Sequence, residues 1–171
     1  IDEQGAVVSF ENMRRYSGRI TRRLLADNSV SITTALVRRR CFDEMGGFDT
    51  SVGVADDYEL WLRFSARYCF HYEPGIVASY RVMADQISSD KRRRFAANER
   101  IIREFLARYG EVLSPWELRW GLARFYCRKA RYFANAGERG EALGAIAKAL
   151  RNAPLDSVVW KALYRVMVPR S

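Results

Sequence analysis

From about residue 90 to residue 168 the apolar residues return at intervals of three and four, and this pattern restricts the fold more than any other feature of the chain. Phe95, Ile101, Ile102, Phe105, Leu106 and Tyr109 predict a helix that stops near Gly110. Ser114-Pro115-Trp116-Glu117 then supplies a capping serine, a proline at the first helical position and a glutamate at the third. That is a capping box, which satisfies two otherwise unpaired amides. The helix it opens is expected to run to Ala136-Gly137. Another follows from about Gly140 to Asn152 and ends before Pro154, and Asp156 can cap a last one through Val168.

The first part of the chain reads differently. GAVVSF (5–10) and SITTALV (31–37) are short runs rich in β-branched residues, and FHYE (70–73) and IVASYRV (76–82) flank a Pro74-Gly75 turn. All four are expected to be strands. Residues 41–45 can form one or two helical turns, stopped by Gly46-Gly47 because glycine enters left-handed conformations cheaply. The expected organisation is therefore α/β over 1–90, a connecting helix over 91–113 and an all-helical extension over 114–171.

Composition narrows the function classes. At 171 residues, 49% of them hydrophobic, the chain can bury a core, and no apolar run reaches the roughly 18 residues that cross a bilayer. Three cysteines (Cys41, Cys69, Cys127) and one histidine do not make a disulfide framework or a zinc site, so a reducing cytoplasm is the default. The cysteines are read as buried apolar residues and His71 as a packed strand residue. The net charge of +9 gathers in Arg14-Arg15, Arg22-Arg23, Arg38-Arg39-Arg40 and Lys91 to Arg94. Such clusters attract phosphates. No nucleic-acid recognition motif accompanies them, so a nucleic-acid partner is not expected. Lys91 to Arg94 could touch a membrane surface or a lipid-linked acceptor, but charge runs are usually solvated faces.

The segment GVADDYELWLRFSARY (53–68) opens with two adjacent aspartates, Asp56 and Asp57. With Asp56 as the helix cap, its carboxylate would accept from the Glu59 amide while Glu59 reaches back. Leu60, Trp61, Phe64 and Tyr68 would then form the apolar stripe, and Glu59, Arg63 and Arg67 a solvated edge, with Glu59 and Arg63 paired four apart. Asp57 would stand at the head of the stripe. A carboxylate there must be hydrogen-bonded, paired or exposed in a cleft, and in a cleft it can serve as a general base. The alternative is that both aspartates only cap and solubilise a helix start.

The order of pieces from Leu36-Val37-Arg38 through Gly46-Gly47-Phe48-Asp49, Asp56-Asp57 and Leu60-Trp61-Leu62-Arg63 to Pro74 and Tyr80-Arg81 resembles the C-terminal half of the inverting glycosyltransferase family two, over about residues 1 to 89. The resemblance implies the acceptor-side part of a GT-A fold, moving a sugar from a nucleoside-diphosphate sugar donor to a glycan or lipid-linked acceptor. It implies Asp57 as catalytic base with Asp56 as the supporting acidic residue, and substrate contacts at Gly47, Phe48, Asp49 and Arg81. Where such enzymes often continue Tyr-Arg-x-His, this chain has Met83, a poor ligand for the divalent metal, Mg²⁺ or Mn²⁺, that the complete enzymes use. Ser88 or Ser89 could still approach the diphosphate. No Asp-x-Asp metal motif and no nucleotide-binding half is found, so the chain is expected to be incomplete without an upstream part. The expected location is the cytoplasm, with peripheral contact at the inner face of the membrane left as an open alternative carried by Lys91 to Arg94.

The end of the chain carries a second resemblance. Tyr126, Ala130, Phe133, Gly137, Ala142, Ile146, Ala149 and Pro154 fall at the spacings of one tetratricopeptide repeat. A single repeat needs neighbours to cover its faces, and helices 91–109 and 156–168 are the expected ones. A rival to the catalytic reading is a non-catalytic helical interaction module built on this hairpin.

Overall fold

The computed structural model describes residues 1–9, 13–82 and 90–168. Among the described residues there are seven α-helices: α1 (Thr21–Ala26), α2 (Arg39–Met45), α3 (Asp56–Ser65), α4 (Lys91–Tyr109), α5 (Pro115–Asn135), α6 (Arg139–Asn152) and α7 (Ser157–Met167). They belong to two compact units, one of residues 1–20 and 29–109, the other of residues 21–28 and 110–171.

Among the described residues there is no β-strand, and this corrects the α/β expectation. A GT-A fold is built on a central β-sheet, so the resemblance to that family does not carry over to the fold. Residues 31–37 form a 3-10 turn at Ile32–Thr34, and Leu36 is fully exposed. Val7, Val8, Ile76 and Val77 lie in segments without regular structure, with their side chains in solvent. Phe10 and Met83 lie outside the described residues. Two short backbone links tie these segments: Gly18 and Phe70 exchange amide bonds of 2.7 and 2.9 Å, and Ile1 bonds Tyr80 and Val82 at 2.8 and 2.9 Å. The physical reason is that β-propensity measures fit to a pleated, half-buried surface. Runs of β-branched residues without neighbouring strands have no such surface to fit.

In the first unit α3 is the centre. Tyr58, Leu60, Trp61, Leu62, Phe64 and Ser65 are all buried, against the single stripe expected of a surface helix. Phe64 meets Phe42 of α2 edge-on at 5.3 Å, and Trp61 meets Phe70 at 6.5 Å. These are favoured edge-to-face geometries. α4 lies against α3 and buries Phe95, Ile101, Ile102 and Phe105. Its start is held by Asp90, whose carboxylate accepts from the Arg93 amide at 2.9 Å.

In the second unit α5, α6 and α7 form an all-helical core. The capping box is present, with the Ser114 hydroxyl accepting from the Glu117 amide at 3.3 Å and the Glu117 carboxylate accepting from the Ser114 amide at 3.0 Å. α5 stops before Gly137 (φ 78°), where the Glu138 amide reaches back to the Phe133 carbonyl at 2.8 Å. Small residues then set the helix approach: Ala123, Cys127 and Ala130 of α5, Ala142, Ala145 and Ala149 of α6, and Ala162 of α7 are all buried in one cluster. Asp156 caps α7 through the Val158 amide at 2.8 Å and pairs with Arg124 at 2.9 Å.

The expected cover of the hairpin needs one correction. α7 does pack against it, but α5 is flanked by α1, a helix given no place in the sequence reading, while α4 packs on α3 in the first unit. Arg22 stacks over Trp116 and Trp120 at 5.0 and 5.6 Å, and Arg23 over Trp120 at 4.8 Å. Each such cation–π contact is worth about 0.5–1 kcal/mol at an exposed site. Arg128 closes the end of α1 by donating to the Ala26 carbonyl at 2.7 Å and pairing with Asp27 at 2.6 Å.

Candidate functional site

The site begins where α2 ends. Gly46 has φ 82°, a left-handed conformation that ends α2 and turns the chain into Gly47-Phe48-Asp49. The Asp49 carboxylate then accepts from the Ser51 amide at 2.9 Å and the Ser51 hydroxyl at 2.6 Å, closing a local turn. The Ser51 hydroxyl, and next its amide, hold the Asp49 carboxyl below the usual range. Val52 is buried, and its carbonyl accepts from Arg100 of α4 at 3.1 Å.

At the far end of this loop Ala55 has φ 66° and ψ 35°. It is the non-glycine residue with positive φ among the described residues. For an L-residue that conformation costs about 1–2 kcal/mol, and the surrounding packing must hold it. Its carbonyl accepts the Glu59 amide at 3.1 Å, so Ala55 rather than Asp56 is the N-cap. The expected acidic capping box is thereby corrected. Asp56 accepts instead from the Asp57 amide at 2.9 Å, and Asp57 from the Tyr58 amide at 2.8 Å. Asp56 is exposed and Asp57 half-buried. With Glu59 they place three carboxylates in the first turn, at the positive end of the helix dipole.

Glu59 does not reach back to the cap; it faces Arg63. The pair is the expected one, but its setting is not solvated: Arg63 is only 8% exposed. Its guanidinium bonds both Glu59 oxygens at 2.8 and 2.9 Å and donates to the carbonyls of Met45, Gly46 (3.2 Å) and Gly47 (2.6 Å). The Glu59 carboxylate raises the Arg63 guanidinium above its ordinary value against the opposing effect of burial. Arg63 therefore clamps the glycine turn to α3, a role the sequence reading missed. The signal was available: an arginine four residues after a glutamate, and a glycine pair whose carbonyls end a helix and need donors.

The structure thus joins Gly47 to the helix that carries Asp56 and Asp57, through one guanidinium, with Phe48 and Asp49 exposed on the same turn. Arg81 is placed elsewhere: it donates to the carbonyls of Asp2 and Glu3 at 2.8 and 2.6 Å. Ser88 and Ser89, like Met83, lie outside the described residues. Trp61 is buried, so it packs. His71 is exposed beside Glu73 at 3.2 Å, not packed, and Cys69 is exposed while Cys41 and Cys127 are buried.

Among the described residues no group of three histidine, cysteine, aspartate or glutamate side chains could hold a metal ion. Asp56 and Asp57 do not by themselves fit a divalent metal, which takes six or more oxygen ligands. No described helix is long and apolar enough to cross a membrane. No protein-family model matches the chain, and neither a curated protein nor a solved structure matches it.

Proposed function

We propose that the first unit carries the acceptor-side chemistry of an inverting glycosyl transfer, from a nucleoside-diphosphate sugar to a glycan or lipid-linked acceptor. Asp57 acts as the general base. The observation that carries the reading is the mounting of this carboxylate: half-buried, at the positive end of α3, on a helix whose core is buried and whose entry turn is strained at Ala55. A rigid seat of this kind fixes a base relative to its proton, which positional catalysis requires.

In the step, the acceptor hydroxyl gives its proton to an Asp57 oxygen as its own oxygen bonds to the anomeric carbon. The bond from that carbon to the donor's diphosphate breaks from the opposite face, and the nucleoside diphosphate leaves with the electron pair. Asp56 supports the negative potential at the helix start. Gly47, Phe48 and Asp49 border the acceptor on the clamped turn, the exposed Phe48 ring offering a sugar an apolar face. Arg81 would have to exchange a carbonyl partner to meet the diphosphate. The divalent metal that such donors need finds no fitting set among the described residues, and no step here runs through one. Our reading puts the protein in the cytoplasm, at the inner face of the membrane.

The second reading, a non-catalytic helical interaction module, is favoured by one feature: α7 keeps large apolar side chains exposed on its outer face. The two readings separate in a transfer assay. The native gene product carrying this chain is given labelled uridine, guanosine and thymidine diphosphate sugars with candidate acceptors. Transfer with inversion supports the catalytic reading, and its absence across the panel supports the module.

A further inference from the structure

Helix α7 carries two cations, Lys161 and Arg165, and no acidic residue. They stand four apart, so they share one flank of the helix, where like charges repel. Arg131 of α5 joins them there, on a helix whose one acid, Glu117, is held in the capping box at its other end. With Cys127, Val158 and Ala162 the three cations line a cavity of about 180 Å³ between α5 and α7.

Neither helix supplies a charge to neutralise this flank. Among the described residues none of the three cations forms an ion pair, and the nearby Asp156 carboxylate is engaged by Arg124 at 2.9 Å. Burial pushes the Cys127 thiol up to about 11, so it adds no negative charge there at neutral pH. Gathered positive charge around apolar walls calls for an anion. Size and valence narrow the choice. The cavity is smaller than the roughly 300–1,000 Å³ clefts that take drug-sized ligands, so its ligand is small. A carboxylate brings one charge and two oxygens. A phosphate monoester brings a charge of about −1.5 to −2 and three acceptor oxygens, one for each cation.

We propose that the cavity between α5 and α7 binds a small phosphate monoester. Arg131, Lys161 and Arg165 donate to its phosphoryl oxygens, and Val158 and Ala162 meet its carbon chain. Inorganic phosphate would use the cations but not these apolar walls. The site lies wholly within the second unit, and nothing in it rests on the role of Asp57.

The test is calorimetric titration of the full chain with ethyl phosphate, inorganic phosphate and propionate, at about 0.1 M chloride, where charge attraction is screened beyond about 10 Å. Ethyl phosphate should bind with a Kd below about 1 mM, and about tenfold or more tighter than propionate. It should also bind about fourfold tighter than inorganic phosphate, the gain from roughly one buried methylene. Arg131→Gln, Lys161→Gln and Arg165→Gln should each weaken ethyl phosphate about tenfold or more, the loss of one charged hydrogen bond. The melt of the ligand-free variants should be retained, because all three side chains are exposed. Arg119→Gln, which removes an exposed cation of α5 outside the cavity, should change the affinity by less than about twofold. No binding, propionate or inorganic phosphate binding as tightly as ethyl phosphate, or affinity untouched by the three cavity variants would each overturn the proposal. So would an equal loss in Arg119→Gln, since general charge attraction would then account for the binding.

Discussion

Two glycines in the second unit lie within helices yet should respond to alanine with opposite signs. Gly121 is in the interior of α5 where α1 crosses it, and a Cβ there would sit 2.6 Å from Leu25 Cβ, 3.0 Å from Leu25 Cδ1 and 3.1 Å from the Arg22 carbonyl oxygen. Ordinary carbon contacts begin near 3.5 Å, so α1 would have to withdraw by about 1 Å. No rotamer change relieves the closest clash, because a Cβ moves only with its backbone. Such overpacking costs about 1–3 kcal/mol, and withdrawal would also loosen Leu24 and Leu25, both fully buried. Against this, alanine gains about 1 kcal/mol of helix propensity over glycine. The net expectation for Gly121→Ala is a loss of about 1–2 kcal/mol. Gly144, in α6, has nothing within 4 Å of its would-be Cβ and is exposed. Gly144→Ala should therefore keep the whole gain of about 1 kcal/mol. Urea titrations of both variants would read the difference, and thermal melts should move by about 2–4 °C per kcal/mol for a chain of this size. If Gly121→Ala proves as stable as Gly144→Ala, α1 does not pack against α5 in solution.

Two further substitutions test local claims. Ala55→Gly should raise stability by up to about 1 kcal/mol, since relief of the left-handed strain exceeds glycine's extra chain entropy; a measured loss would mean that Ala55 is not in that conformation. Asp156→Ala removes a cap and an ion pair, and should cost about 1–2 kcal/mol at neutral pH. For Asp156, burial alone would raise the carboxyl, but the Val158 amide and Arg124 outweigh it and leave it below the ordinary 3.8. A lowered value stabilises the fold above 3.8, and that part is lost as pH falls through the lower folded value. The gap between Asp156→Ala and wild type should therefore narrow below about pH 3.8, and a constant gap down to pH 2 would contradict the ion pair.

The helices beyond residue 90 were legible because their signals are local. Ser114 with Glu117, Asp156 before α7, and Gly137 after α5 act within a turn of their own position, whatever surrounds them. α1 was not legible, since a run of six residues becomes a helix only through packing, here against a bare Gly121. The four expected strands failed for the converse reason. Val7, Leu36 and Ile76 have β-favouring or apolar side chains but no neighbouring strand among the described residues. At the site, the acidic helix start could be read directly. Its register could not, because alanine in a left-handed conformation at position 55 has no sequence signature. Arg63 was assigned to solvent by periodicity; only the fold brings the carbonyls of residues 45–47 to its guanidinium.

The central claim is that Asp57 is a base and Asp56 is not, and kcat in the native gene product distinguishes them most directly. Asp57→Asn keeps the shape and the bond to the Tyr58 amide but removes the carboxylate. It should cut kcat roughly a hundredfold or more, leave the donor KM near its wild-type value, and leave the thermal melt unchanged. Asp56→Asn, exposed and bonded only locally to the Asp57 amide, should lower kcat by less than about tenfold. Equal and mild losses in the two variants would contradict the account and reduce the pair to the start of a helix.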